Sequence, residues 1–87
     1  MGIELMPLGG KAVIAVDRIT AIASPDSAPI KRAISRAEGE GLVINVTYGL
    51  KIEAVIFLDS GHIVLATCGP GEILERLRAW RGEVRHK

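Results

Sequence analysis

The chain has 87 residues, enough for one domain and too few for two. Hydrophobic residues make up 48% of it and charged residues 24%, a globular composition that excludes a disordered chain. The net charge of +1 hides an asymmetry: residues 1–75 carry six basic side chains against nine acidic ones, and residues 76–87 carry five against one.

Only Tyr48, Phe57 and Trp80 are aromatic, so the core must be built from Ile, Val, Leu and Ala. The lone cysteine, Cys68, excludes an internal disulfide and a cysteine-based zinc site. No apolar run approaches the ~20 residues needed to cross a bilayer, and no basic segment leads into an apolar one, which reads as a cytoplasmic domain with no membrane partner. At this size folding hides only about 60% of the surface the unfolded chain exposes, so oligomerisation is an ordinary remedy and a buried substrate pocket has little room.

Ile3 to Leu5 reads as a brief strand that ends before Pro7 and the Gly9–Gly10 pair. Lys11 to Val16 and Ile19 to Ala23 are β-branched runs, separated by a turn or interruption at Asp17–Arg18. Ser24 to Pro29 holds the cap residues and first-turn proline of a helix start. Ile30, Ala33, Ile34 and Ala37 then form one apolar stripe, with Lys31, Arg32, Ser35 and Arg36 on the opposite arc and Gly39 and Gly41 to end the helix. Leu42 to Tyr48 reads as a strand broken by Gly49. Ala54 to Leu58 and His62 to Ala66 read as a hairpin turning at Asp59-Ser60-Gly61. Both strands are apolar on each face of the pleat, which predicts helices against one face and another subunit against the other. Pro70 opens a second helix with Ile73, Leu74, Leu77 and Trp80 along one side and a Glu72–Arg76 pair outside. The order β-β-β-α-β-β-β-α predicts an α+β domain with a small, mostly antiparallel sheet.

The chemistry-bearing residues fail the tests for catalysis. Asp59, Ser60 and His62 sit in one turn, where adjacent side chains cannot form a relay, and no oxyanion element accompanies them. His62 and His86 lack a third ligand at metal spacing. Gly69-Pro70-Gly71-Glu72 has neither the spacing nor the lysine of a phosphate loop, and Gly39-Glu40-Gly41 follows a helix and carries an acid. Cys68 reads as a small core residue. No catalytic residue, metal site, cofactor or small-molecule substrate is expected. What remains is the placement of Lys11, Arg18, Lys31, Arg32, Arg36 and Lys51 at strand ends, turns and one helix face. Arg18 stands out because a strand fixes its base; the plain alternative is a surface pair with Asp17 or a glutamate. A net charge near zero is not the footprint of a strong nucleic-acid binder, and the shortage of aromatics argues against base stacking on single strands.

The stretch from Arg18 to Arg32, RITAIASPDSAPIKR, resembles the signature of the RemA-type extracellular-matrix regulators of bacteria. Thr47-Tyr48-Gly49 and the stretch AVIFLDSGHIVL over 54–65 resemble the same family. The likeness spans Met1 to about Trp80, which sets a domain over 1–80 and a basic tail over 81–87. It implies a non-enzymatic, nucleoid-associated transcription regulator of biofilm-matrix genes. Such a protein assembles into a ring-forming homo-oligomer with a head-to-tail interface and wraps or bends duplex DNA. Residue by residue, the family's arginine after the second strand falls on Arg18. Its basic pair after Tyr-Gly falls on Leu50 and Lys51, so only Lys51 is basic, and Glu53 adds an acid nearby. Gly10 stands where the family carries an aromatic, with Lys11 beside it. The expected DNA contacts are therefore Arg18 and Lys51, with Lys11 and Arg32 as lesser ones. The second face of the sheet and the helix start at Pro29 and Ile30 are the expected oligomer interface. The alternative is a ring-shaped scaffold that binds a protein partner without DNA, which the apolar Leu50 favours.

Overall fold

The structure, a computed structural model, describes residues 4–9 and 12–85, the side chains of residues 80–85 excepted. Strand β1 (Leu5–Gly9) and strand β2 (Ala12–Ala15) pair antiparallel with Leu5 opposite Ala15 and Met6 opposite Ile14. Alternation is strict: Met6, Leu8 and Ile14 are buried, while Leu5, Pro7 and Val13 are exposed. The sequence places the first strand at Ile3–Leu5; the strand instead runs through Pro7. In a two-stranded ribbon each strand has an open edge, where a residue with no N–H is tolerated.

A single 3-10 turn over Val16–Arg18 then leads into β3 (Ile19–Ala23). Helix α1 (Ala28–Gly39) starts as its sequence predicts, with Ser27 Oγ accepting from the Ile30 N–H at 3.4 Å and proline in the first turn. It ends on a two-bond lock: Gly41 N–H donates to Glu38 O at 3.2 Å and Leu42 N–H to Ala37 O at 2.9 Å. That closure needs a left-handed residue, and Gly41 supplies it at φ 73°.

Strand β4 (Val43–Asn45) is shorter than the Leu42–Tyr48 strand expected. Asn45 stops it: its Oδ1 accepts from the Thr47 N–H at 2.9 Å and from Thr47 Oγ1 at 2.6 Å, so the side chain takes over from the ladder. Strands β5 (Ala54–Leu58) and β6 (Ile63–Ala66) form the central hairpin, and Gly61 closes its turn at φ 93°. The strand order is β3-β5-β6-β4, with β4 parallel to β6 and the other pairs antiparallel. The single sheet expected is thus a mixed four-stranded sheet plus a separate two-stranded ribbon.

Helix α2 (Pro70–Arg85) buries Ile73 and half-buries Leu77. Leu74, expected on the same stripe, is exposed, because a residue one step from Ile73 is turned about 100° away from it. The side chain of Trp80 lies outside those described.

The pleat divides the core into two layers. Val55, Ile63 and Leu65 pack with Phe57 against the Ile30, Ala33, Ile34 and Ala37 stripe of α1. Ala54, Ile56, Val64 and Ala66 face the other way, onto Met6, Leu8 and Ile14 of the ribbon and Ile73 of α2. Cys68 belongs to this second layer and donates from Sγ to Leu8 O at 3.0 Å. The expectation that the second sheet face waits for another subunit is therefore overturned: the chain covers it with its own ribbon and second helix. Strands apolar on both faces require two covers, and the N-terminal ribbon supplies one of them together with α2.

Candidate nucleic-acid interface

The strand directions place the cations. β5 runs from Ala54 to Leu58, and β3 pairs antiparallel to it with Ile19 opposite Leu58. Arg18, just before β3, therefore stands at the Leu58 end of the sheet. Lys51, just before β5, stands at the Ala54 end. Between those two ends runs β5, about 13 Å long as four steps of ~3.3 Å. One protomer does not bring them together.

Arg18 is held at its base and loose at its tip. Its carbonyl accepts from the Asp59 N–H at 2.9 Å, which ties the 3-10 turn to the hairpin turn. Its Nη1 lies 3.3 Å from Asp59 Oδ2, with 65% of the arginine side chain exposed. The partner is Asp59, from 41 residues along the chain, and not the adjacent Asp17. Sequence proximity pointed to Asp17, but hairpin topology decided the pairing. Lys51 is looser still: its Nζ is 3.9 Å from Glu53 Oε2, and its side chain is 83% exposed. Arg32 is exposed on the outer arc of α1 with Lys31 and Arg36, and among the described residues none of the three pairs with an acid. Lys11 lies outside the described residues. Pro29 is exposed at the start of α1, whereas Ile30 is half-buried against the protein's own core.

The turn holding Asp59 shows no relay. Ser60 Oγ and His62 Nδ1 lie 2.8 Å apart, while the Asp59 carboxylate is engaged by Arg18. Among the described residues no group of three or more His, Cys, Asp or Glu could hold a metal ion, and no helix is long and apolar enough to cross a membrane.

The loop after β4 carries Tyr48 and Leu50, 73% and 67% exposed, the most exposed large hydrophobic side chains among the described residues. Leu50 N–H donates to Thr47 O at 3.0 Å, closing a tight turn whose central residues are Tyr48 (φ 54°) and Gly49 (φ 83°). Thr47, which opens this turn, is buried. The available signal was Asn45 two residues before Thr47, a spacing that favours a side-chain-to-backbone turn over a longer strand.

The fold is a small α+β domain with exposed cations near both ends of its four-stranded sheet. The model of the RemA-like family, described as extracellular matrix regulatory protein A-like, matches residues 5–77, and the chain belongs to that family. A protein of Dehalococcoides mccartyi named as a candidate regulatory protein is 49% identical over 82 residues, covering 94% of this chain and 85% of its own length. Proteins named in the same way from Alkaliphilus oremlandii and Clostridium beijerinckii are 44% and 43% identical over 79 and 77 residues. These cover 91% and 88% of this chain and 85% and 86% of their own. The names given to these relatives are those of bacterial regulatory proteins.

Proposed function

We propose that the protein is a DNA-binding transcriptional regulator of extracellular-matrix genes, working as a closed homo-oligomeric ring on duplex DNA. The observation that supports it is the pairing of family with surface. In a RemA-like chain, Arg18 just before β3 and Lys51 in the loop before β5 both project exposed cationic tips. Two separated phosphate contacts hold DNA weakly; repeated around a ring, they add through effective concentration. Among the described residues no element presents a cluster of base-reading side chains, which favours recognition through backbone and shape.

The test is a mobility-shift titration with duplex DNA over a range of salt, alongside a solution mass. A ring that shifts DNA, more weakly as salt rises, supports the reading. Arg18→Ala is expected to weaken the shift and leave the oligomer intact. The exposure of Leu50 favours a second reading, a ring-shaped scaffold for a protein partner, and a ring that shifts no DNA supports that one.

A further inference from the structure

The loop over 45–51 does more than connect β4 to β5. A two-residue turn with positive φ at both centres is made most easily by Asn-Gly or Gly-Gly. Here its first centre is Tyr48 at φ 54°, the one non-glycine residue with positive φ among those described. Left-handed backbone disfavours a bulky side chain, and such strain persists where the surroundings enforce it. They do so here. Asn45 Oδ1 fixes the Thr47 backbone and hydroxyl from below, and the Leu50 N–H to Thr47 O bond closes the turn above. The outcome of this fixing is that Tyr48 and Leu50 stand in solvent, with Lys51 next to them.

We infer that Tyr48 and Leu50 form an apolar wedge that enters the minor groove of duplex DNA and pries at a base step, with Lys51 seated on a flanking phosphate. The inference rests on the DNA-binding reading above and assigns the part of the surface that does the bending. Two features favour DNA over a protein groove. The tip is a tight turn with two central residues, Tyr48 and Gly49, and a narrow tip suits a groove about 6 Å across and 7.5 Å deep. Leucine is among the side chains that unstack base steps, and a tyrosine ring can stack on the base so exposed. Lys51 is the cation beside this tip, and it must leave Glu53, 3.9 Å away, to meet a phosphate. Leu50 adds nothing to phosphate binding and offers only an apolar contact.

The experiment measures binding of the full chain to a 30-base-pair duplex by fluorescence anisotropy across salt. Tyr48→Ala and Leu50→Ala are each expected to weaken binding roughly tenfold with the salt slope unchanged, because stacking and wedging release no counterions. Lys51→Ala is expected to lower that slope by about 0.9 per phosphate lost. Replacing guanine by inosine removes the minor-groove amino group and leaves the major groove alone; wild type should bind that duplex more tightly, and the Tyr48 and Leu50 variants should gain less. Tyr48→Asn guards against misfolding, since it installs the favoured turn pair: its melting temperature should hold or rise while its affinity falls. Unaltered binding by both alanine variants, or indifference of wild type to inosine, overturns the wedge and leaves DNA binding standing. A wild-type protein that binds no duplex at any salt overturns the reading beneath it as well.

Discussion

Asp59→Asn isolates the charge that competes for Arg18. The backbone bond from Asp59 N–H to Arg18 O, at 2.9 Å, does not involve the carboxylate, so the 3-10 turn and the hairpin stay joined in the variant. The pair itself is exposed at 65% and 44% of the two side chains. At 3.3 Å the Coulomb attraction is of order 1 kcal/mol in water, and ordering two side chains removes part of it. The substitution should therefore cost under about 1 kcal/mol of stability, read as a small shift of the urea midpoint with unchanged slope. If Arg18 meets a phosphate, wild type must first give up Asp59 and then hold that carboxylate near the DNA. Removing it should tighten binding by up to about fivefold per protomer, the equivalent of ~1 kcal/mol. The gain should shrink as salt rises, since screening reaches ~8 Å at physiological ionic strength. Anisotropy titrations of both proteins at two salt concentrations provide the check. A folded Asp59→Asn protein that binds DNA no better than wild type, or worse, refutes the assignment of Arg18 to a phosphate.

Three further outcomes test the fold. Ile73, 0% exposed, joins α2 to the ribbon and sheet; Ile73→Ala should cost about 2–5 kcal/mol in urea unfolding, a large part of the ~4–13 kcal/mol expected for a domain of this length. Gly41 and Gly39 both have open space where a Cβ would go, but only Gly41 has positive φ. Gly41→Ala should destabilise by about 1 kcal/mol and Gly39→Ala should be neutral to stabilising, so equal effects in thermal melts would refute the backbone explanation. Ser27→Ala removes the cap of α1 and should cost about 1 kcal/mol by the same melts.

Local signals carried most of the fold. Ser27, Pro29 and Gly41 announce the ends of α1 because capping and positive φ are chemistry within a few residues. Ile30, Ala33, Ile34 and Ala37 announce its buried face because period 3.6 survives in one sequence. The failures concern partners distant along the chain. Nothing in residues 5–15 says that Met6 and Leu8 will cover Ile56 and Val64, so the second sheet face reads as vacant. The parallel pairing of β4 with β6 is equally silent, because it depends on α1 carrying the chain back along the sheet before β4 begins. At the candidate site the identities of Arg18 and Lys51 were legible, but their placement at opposite ends of β5 was not. That placement follows from strand direction, which residue type does not encode.

This separation turns the proposed assembly into something a slope can count. The logarithm of affinity for duplex DNA falls with the logarithm of salt at about 0.9 per phosphate neutralised. A protomer using Arg18 and Lys51 contributes two contacts, so a slope divided by about 1.8 gives the number of protomers on the DNA. One protomer alone would lose only about twelvefold between 50 and 200 mM salt, whereas three would lose more than about a thousandfold. Arg18→Ala should halve the slope and leave the solution mass untouched, since Arg18 lies at a strand end and outside both core layers. If the slope of the variant equals that of wild type, the cation lost was not on a phosphate. If the wild-type slope corresponds to two contacts while the mass shows a large ring, the ring does not lay its protomers along the duplex, and bending by the whole assembly loses its basis.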